Sequence, residues 1–446
     1  MKKALRWLAV LTALPVLCLL AILLINAFDD KLNEKAAFAG ESRTVSVPDA
    51  QNGYLAVLAM AAGDGANPAA YAQAWLAEAR AAGREQRAEK PQEAKRSKRP
   101  KLCDAAQVSC LAEIQDKAAE IKAQLDAYRE DLDRYEKLIA FRAYEEVLDY
   151  PMRLDARLPS YQYVGAAQRA YLLRAALKLQ EDKIDEALTD IERDMAFHRA
   201  MLAGTRTLIG KMVAAANLMR DLAFLADFLQ TSTSDLKPFA ARLESMLQPI
   251  APAVLRLEQA LEAEYAMIKP ALKNPRASDG IGQGGLLEAI GMRYFYKPNA
   301  TINAAYANFL KSVERVNLPP AALMQEHQNR VSRQDELKFW DYVDNPVGNI
   351  LLRVGAPSYT QYALRLHDLD AYNRLLGLGA AIIAGGVPTE SVAEFVARSD
   401  ARFLDPYTGK PMLWDEKRRQ LSFGASDVLA KRKFFNMEDG RVRLHM

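Results

Sequence analysis

The residues best suited to binding chemistry stand together in one polar and aromatic stretch of the distal half. They are Tyr294, Tyr296, Lys297, Asn299, Thr301 and Asn303. Stacking rings, hydrogen-bonding amides and hydroxyls, and a cation form the mixture with which a surface binds a sugar or a peptide. A structural interpretation also stands, because asparagine and threonine cap helices and the pattern predicts a helix from Ile302 to Val313.

Hydrolytic chemistry would need a carboxylic acid beside that stretch. Asp368 and Asp405 are the candidates in a hydrolase that acts on peptidoglycan or peptide. Around Asp368, however, the charged neighbours Arg365, His367 and Asp370 diverge on a helix, so the sequence predicts a solvated helical face. No motif brings a nucleophile, a base and an oxyanion donor together, and the catalytic residues are left unassigned.

Glycines and cysteines supply two further patterns. Gly280 to Gly285 matches the letters of a dinucleotide fingerprint, but no strand precedes it, so 271–292 is interpreted as a glycine-rich loop and no cofactor is predicted. Cys103 and Cys110 are predicted to form a disulfide in an oxidising compartment. Seven helical residues would hold them about 10 Å apart, so the bridge requires a helix that begins near Ser109. No histidine or further cysteine lies near them, and no metal site is predicted.

Composition limits the classes of partner and of fold. The 446 residues carry 59 basic and 56 acidic side chains and a formal net charge of +3. This balance does not favour nucleic acid as a partner. Helix-forming residues dominate, so a mostly α fold is predicted. The basic segment 84–102 is predicted to be a solvated disordered loop, with contact to anionic lipid headgroups as the alternative.

The amino-terminal stretch determines the predicted compartment. Trp7 to Phe28 is almost wholly apolar and, at roughly 30 Å as a helix, is long enough to cross a bilayer after a basic cytoplasmic end at 1–6. A cleaved signal peptide is the alternative, but the Ala37-Phe38-Ala39 triplet lies beyond charged residues and far from the apolar run. We therefore predict a bacterial inner-membrane protein with a signal-anchor helix at 7–28. Its lipid contact is Trp7 to Phe28, and the remaining chain is periplasmic.

Helical periodicity organises the segments that follow. A tether is predicted over 29–53, short helices over 54–83, a long helix and helical hairpins over 103–270, a C-terminal helical part over 293–400 and a β-hairpin tail over 401–446. Leu111 to Tyr135 carries a heptad seam on one long helix. The seam packs within the chain or pairs with a second copy in a homodimer, and its short length favours the first alternative.

Two short motifs carry resemblances. Leu179 to Leu188 resembles the turn of a tetratricopeptide hairpin, and its short connection predicts an antiparallel pair of helices. The run Asp405-Pro406-Tyr407-Thr408-Gly409-Lys410-Pro411-Met412, together with Tyr296 to Asn303, resembles uncharacterised, singly membrane-anchored envelope protein families of proteobacteria. That resemblance implies an envelope location and assigns no catalytic residue.

The predicted architecture is an N-terminal transmembrane helix, a repeat-like domain of antiparallel helical hairpins and a small C-terminal β-hairpin. The expected function is a membrane-anchored periplasmic scaffold or binding protein for another envelope protein or a cell-wall polymer. The alternative is the membrane-anchored hydrolase. That alternative requires a deep pocket that holds side chains of Tyr296 to Asn303 and a buried carboxylate.

Overall fold

The computed structural model describes residues 2–41, 44–82, 97–103, 108–148, 153–154, 156–275, 285–331, 338–354, 359–426, 437–438 and 441–446. Over these residues the chain is mostly α-helical, with a small antiparallel sheet near the carboxyl end. The sequence predicted both features, and both are confirmed.

The amino-terminal part of the described chain consists of one long helix and several shorter ones. They are α1 (Lys2–Asn26), α2 (Glu34–Phe38), α3 (Gly53–Ala59), α4 (Pro68–Ala82), α5 (Val108–Asp126) and α6 (Arg129–Leu138). α3 packs on α4 and α6. Asn52 begins α3, because its side-chain oxygen accepts the N–H of Tyr54 at 3.0 Å. Its amide also donates to the carbonyl of Glu145 at 2.8 Å, which fixes the start of α3 on the strand-like segment after α6.

Long helices build the centre of the body. They are α7 (Gln162–Gln180), α8 (Ile184–Gly204), α9 (Leu208–Thr231) and, later in the chain, α16 (Thr360–Gly385). The turn from α7 to α8 is three residues long and places Asp182 at a φ of 58°, so the predicted helical hairpin is confirmed. α9 packs against both α8 and α16. α16 is buried along most of its length, which makes it a core helix.

A set of shorter helices joins these central ones. They are α10 (Ala240–Met246), α11 (Glu258–Lys273), α12 (Leu286–Tyr294), α13 (Pro298–Val316), α14 (Pro320–Val331), α15 (Pro346–Val354) and α17 (Val392–Ala397). α11 packs against α13, and α13 packs against α15. A second apolar cluster, separate from the main core, joins α2, α11 and α13 through Ala36, Tyr265, Leu272, Ile302 and Ala305.

The carboxyl-terminal sheet contains the predicted hairpin and two further strands. The strands are β1 (Leu413–Asp415), β2 (Gln420–Gly424), β3 (Met437–Glu438) and β4 (Arg441–His445), in the antiparallel order β1-β2-β4-β3. Leu421 and Phe423 on β2 and Val442 and Leu444 on β4 are buried in the main core. The sheet therefore lies on the helices with one apolar face inward, as alternation along a strand dictates.

The predicted continuous helix from Leu111 to Tyr135 is wrong. α5 ends at Asp126, α6 begins at Arg129, and the backbone leaves helical geometry inside α5 at Lys117. The described seam residues Ile114, Ile121, Leu125, Tyr128, Leu132 and Tyr135 are buried in the core of the same chain. α5 and α6 both pack on α7. A second copy would reach this face only if the core opened.

Other predicted segments differ from the structure or fall outside it. Among the helical stretches whose side chains the structure describes, which take in α1 only from residue 13 onward, none combines the length and apolarity that crossing a membrane requires. The segment 29–53 contains α2 and a short 3-10 turn at Asp49–Gln51, so it is more than a linker. Most of the predicted basic loop at 84–102 and most of the glycine pattern at 280–285 lie outside the described residues.

Candidate functional site

The stretch that the sequence predicts to bind a ligand forms the end of α12, a turn and the first turn of α13. Tyr294 is 48% exposed, whereas Tyr296, Lys297 and Thr301 are buried. The Tyr296 hydroxyl donates to the carbonyl of Leu272, and burial raises the pKa of Tyr296 to about 12. The Thr301 hydroxyl donates to the carbonyl of Lys297 at 2.8 Å. Both hydroxyls therefore donate their hydrogen bonds to backbone carbonyls of this chain.

The two asparagines of this stretch bind the segment that follows α1. The Asn299 amide donates to the carbonyl of Asp30 at 2.9 Å. Asn303 donates to the carbonyl of Lys31 at 3.0 Å and accepts the N–H of Asn33 at 2.9 Å. Side chains expected to hold a sugar or a peptide thus hold the backbone of the chain's own residues 30–33.

Asp29 caps α13 from outside the helix. Its two carboxylate oxygens accept the N–H groups of Asn299 at 2.8 Å and Ala300 at 3.1 Å. The preceding residue, Lys297, gives no side-chain cap. A carboxylate is favoured there, because the first N–H groups of a helix lack partners and its amino end carries partial positive charge. The helix thus begins at Pro298, earlier than predicted, and its cap comes from a distant segment.

Asn345 joins the end of α1 to the start of α13. Its side-chain oxygen accepts the N–H of Lys297 at 2.9 Å, and its amide donates to the Thr301 hydroxyl at 2.9 Å. Its backbone N–H donates to Asn26 Oδ1 at 2.8 Å. A Cβ on Gly348 would lie 2.2 Å from Thr301 Oγ1, so only glycine fits beside this group. The residues of this junction, Asn26, Asp29, Asn33, Asn299, Thr301, Asn303 and Asn345, are called the polar clamp below.

Residues 36–40, which follow Asn33 in the chain, also contact the helical body. The Tyr265 hydroxyl donates to the carbonyl of Ala36 at 2.8 Å, and Lys269 Nζ donates to the carbonyls of Ala37 and Ala39, at 2.7 Å each. Gly40 has a φ of 73°, and a Cβ there would lie 2.6 Å from the Cβ of Ala266. Residues 26–40 are therefore an integral part of the helical body.

The two candidate carboxylates meet at Tyr407 and form a structural contact. Asp368 accepts the Tyr407 hydroxyl at 2.7 Å and the Ser426 hydroxyl at 2.5 Å. Asp405 accepts the N–H of Tyr407 at 2.8 Å, and burial raises the pKa of the Asp405 carboxyl. The predicted solvated face is wrong at Asp368 and Asp370, which are 0% and 2% exposed. The prediction failed because α16 runs through the core.

A groove lies elsewhere in the described part of the chain. It has a volume of about 510 Å³ and is lined by residues of α17 and its flanking turns, including Glu394, Phe395, Arg398, Arg402 and Phe403. No residue of the polar clamp lines it, and neither Asp368 nor Asp405 does. This groove is therefore not the pocket that the hydrolase alternative requires, which would hold side chains of Tyr296 to Asn303 beside a buried carboxylate.

A fully buried polar cluster lies between α6, α7, α8 and α9. Asp194 Oδ1 accepts the Tyr135 hydroxyl at 2.5 Å and lies 3.2 Å from His198 Nε2. Gln168 donates to Asp221 Oδ1 at 2.8 Å and to Asp194 Oδ2 at 3.3 Å. All five side chains are buried, and His198 Nδ1 and Asp221 Oδ2 lack a hydrogen-bond partner. His198 thus lies in the core with a partner at only one of its two ring nitrogens.

The hydrogen bonds of this cluster fit a protonated Asp221 better than a metal ion. Asp194, His198 and Asp221 place potential ligand atoms within 4.8 Å of one another. The Gln168 amide, however, donates between the two carboxylates, and Arg220 fixes that orientation by donating to Gln168 Oε1 at 2.5 Å. Burial, and next the charge of Asp194, raise the pKa of Asp221 well above its ordinary value. Burial beside a second carboxyl therefore favours the protonated form of Asp221.

The cysteines are described in part. Cys103 is disulfide-bonded and Cys18 is free. α5 begins at Val108, close to the position that a bridge from Cys103 to Cys110 requires. The side chain of Cys110 is outside the described ones, so this pairing stays a prediction.

Comparison with known proteins gives no relative from which a function could be transferred. No family model, no curated protein and no solved structure matches the chain. The site therefore has to be interpreted from its own geometry.

Sequence reasoning missed Asp29 and Asn26 as partners of the predicted stretch. Each is separated from its contact by about 270 residues or more, and no local pattern reports such a distance. It also missed Asp194 and Asp221. The spacing Asp194-x-x-x-His198 on one helix face was the available signal for that cluster.

Proposed function

We propose that this protein is a membrane-anchored helical scaffold or binding protein of the bacterial envelope, whose body is held at the membrane by the polar clamp. One observation supports the anchor above all others. The described apolar side chains of α1 and its exit stand away from the body, with Leu14, Leu17, Leu24 and Phe28 between 61% and 76% exposed. Burying each such side chain is worth roughly 1.5–3 kcal/mol, so a continuous exposed row favours an apolar partner.

Lipid is the partner that suits this row. Lys2, Lys3 and Arg6 precede the apolar run and Asp29 and Asp30 follow it, a charge order that favours a cytoplasmic amino end. Asn26 turns its side chain to the body, where its amide donates to the carbonyl of Val343 at 2.8 Å. The change from lipid-facing to protein-facing side chains would then fall at the last turn of α1.

The docking of residues 26–40 supports an uncleaved anchor. Cleavage after Ala39 would remove Asp29 from α13 and Ala36 from the second apolar cluster. It would also leave Tyr265 and Lys269 without the carbonyls they bind. A signal peptide is removed from the mature protein, so contacts of this kind between it and the folded domain are not expected.

Membrane fractionation of the protein expressed in its native cells tests the anchor. We expect the protein to resist extraction at alkaline pH, and Edman sequencing to start before Gly40. A reporter fused after β4 is expected to be active only in the periplasm. A mature product that begins at Gly40, or a cytosolic reporter, contradicts the anchor.

The partner is proposed to be another envelope protein or a cell-wall polymer. The support is that the side chains of the polar clamp bind other parts of the same chain. A partner would therefore be recognised by the outer surface of the body or by the groove at α17. Two assays test this, cosedimentation with purified peptidoglycan and affinity capture of the full chain from solubilised envelopes. A reproducible partner at fixed stoichiometry supports the proposal. Recovery of the protein alone in both assays counts against it.

A further inference from the structure

An exposed group of aromatic side chains lies next to the polar clamp. Phe339, Trp340 and Tyr342 occupy one short 3-10 turn and are 73%, 68% and 55% exposed. The rings of Phe339 and Trp340 pack edge to face with centroids 5.6 Å apart. A cluster of exposed aromatic rings is typical of an interaction surface, whereas single exposed apolar residues are common on any protein.

The position of this turn relative to α1 is fixed by hydrogen bonds. The Val343 N–H donates to the carbonyl of Trp340 at 3.0 Å. The Val343 carbonyl in turn accepts the amide of Asn26, the last residue of α1. Three residues span at most about 11 Å. Trp340 is therefore held close to the point at which α1 meets the body.

Exposed apolar side chains also stand on α12 and α15, and α15 packs against the aromatic turn. The N–H of Val347 on α15 donates to the carbonyl of Phe295, directly after α12, at 3.2 Å. On the outer side Tyr294, Ile350 and Val354 are 48%, 44% and 83% exposed. On the inner side of α15, Leu352 packs against the second apolar cluster. α15 thus has one apolar face turned to the body and further apolar residues turned away from it.

We propose that these side chains form a membrane-interface patch that lies in the headgroup region of the same bilayer that α1 enters. The patch comprises Tyr294, Phe339, Trp340, Tyr342, Ile350 and Val354. Tryptophan and tyrosine are enriched at this depth because an apolar ring with a polar edge suits both lipid and water. The inference rests on the proposed anchor and adds that the body itself touches lipid.

Continuity with α1 identifies lipid, and not a protein, as the occupant. A bilayer of about 40–45 Å has a hydrocarbon core of about 30 Å, so each headgroup region is about 5–7 Å deep. Val343 is hydrogen-bonded to the end of α1, and Trp340 lies at most about 11 Å from Val343, which brings the turn next to this headgroup region. Arg293, whose guanidinium lies 5.6 Å from the Tyr294 ring centre, adds a cation suited to lipid phosphates at the edge of the patch.

Tryptophan fluorescence of the full chain in lipid vesicles tests the patch separately from the anchor. The chain has four tryptophans, of which Trp7 lies in the proposed anchor and Trp340 in the patch. Vesicles of phosphatidylethanolamine and phosphatidylglycerol are prepared with and without bromine on the upper acyl chain, and emission is compared. The variants are Trp7→Phe, Trp340→Phe and the double variant, with Trp414→Phe on β1 as the matched control.

We expect bromolipid to quench the Trp7→Phe variant, through Trp340, and the double variant to lose this quenching. Trp414→Phe is expected to be quenched as strongly as the unsubstituted chain. If Trp7→Phe and the double variant are quenched equally little, while Trp340→Phe is still quenched through Trp7, the anchor stands and the patch is wrong. If iodide in the aqueous phase quenches Trp340 in vesicles as strongly as a free indole, the surface faces water and a protein partner takes the place of lipid.

Discussion

Asn345 donates its backbone N–H to the side chain of Asn26 at 2.8 Å, which joins the start of α15 to the end of α1. Asn345 adopts a φ of 49°, a left-handed conformation that asparagine tolerates better than most residues. In that conformation its backbone serves α1 while its side chain serves Lys297 and Thr301. One residue therefore couples the proposed anchor to the first turn of α13.

Replacing Asn345 is expected to loosen this junction. Asn345→Ala removes the two buried side-chain hydrogen bonds, at a cost of about 1–3 kcal/mol, and adds left-handed strain of about 1–2 kcal/mol. Asn345→Gly removes the hydrogen bonds without the strain. Hydrogen exchange should therefore accelerate at the Asn33 and Asn299 amides in both variants, and more in Asn345→Ala. Unchanged exchange in both would show that the polar clamp does not depend on this side chain.

Loss of the Asp29 cap is expected to destabilise the start of α13. Asp29→Asn weakens the charge-assisted bonds to the Asn299 and Ala300 amides and should cost about 1 kcal/mol. Asp30→Asn is the matched control, since it makes the same change of charge one residue away, where the carboxylate has no bond to α13 among the described contacts. Thermal unfolding of the full chain in detergent compares the two. Equal shifts in the unfolding temperature would mean that only net charge matters there.

The close approach of Gly40 to α11 gives a steric prediction. Gly40→Ala puts a Cβ at 2.6 Å from the Cβ of Ala266 at a φ of 73° and is expected to displace α2 from Tyr265 and Lys269. Gly65→Ala is the control, because Gly65 has a similar φ of 71° but nothing within 4 Å of its Cβ. Limited proteolysis should cut near residue 40 in the first variant only. Equal cutting in both variants would assign the effect to backbone strain alone.

The buried carboxyl of Asp221 predicts how stability depends on pH. A carboxyl whose pKa is raised on folding holds more protons in the folded state than in the unfolded state. The free energy of unfolding therefore falls as the pH rises above the ordinary aspartate pKa of about 3.9. Asp221→Asn replaces this carboxyl by an amide that is neutral at every pH, so it should flatten the dependence and stabilise the protein at pH 8 by on the order of 1–3 kcal/mol.

Urea unfolding from pH 5 to pH 9 measures that effect. Asp126→Asn, at a carboxylate whose side chain is 72% exposed, is the control and should reproduce the parent curve. A variant Asp221→Asn that is less stable than the parent at pH 8 would show that the cluster needs both charges, as it would if a cation occupied it.

Peptide mapping without reduction tests the predicted disulfide. We expect Cys103 in a cross-linked peptide with Cys110 and Cys18 alkylated as a free thiol. Closing a loop of this size should add about 2–3 kcal/mol to the free energy of unfolding. A Cys103 that reacts with the alkylating reagent before reduction would remove the pairing.

Periodicity was sufficient for some of these elements and insufficient for others. The hairpin of α7 and α8 follows from apolar residues at helical spacing on either side of a short polar turn, and the hairpin of β1 and β2 lies within the tail predicted over 401–446. The seam from Leu111 to Tyr135 kept its spacing through Ala127 and Tyr128, where the helix breaks. Spacing reports which side chains are buried together, and it does not report whether one axis carries them all.

The candidate site shows the same limit at long range. The sequence marks Tyr296 to Asn303 as a polar and aromatic stretch. Its asparagine side chains, however, form hydrogen bonds with the backbone of Asp30 to Asn33, far away in the chain. A sequence does not show whether an amide or hydroxyl side chain binds a foreign ligand or a distant part of the backbone. Asp368 was misjudged for a related reason, since its neighbours suggested water and the packing of α16 excluded it.

The place of β4 in the sheet has a consequence for folding. Among the described strands β4 comes last in the sequence, yet it lies between β2 and β3, and its Val442 and Leu444 complete the apolar layer over the long helices. Until β4 pairs with β2, the apolar side chains beneath it and the edge of β2 stay exposed to solvent. A folding intermediate that lacks only this pairing would therefore be the species most prone to aggregate.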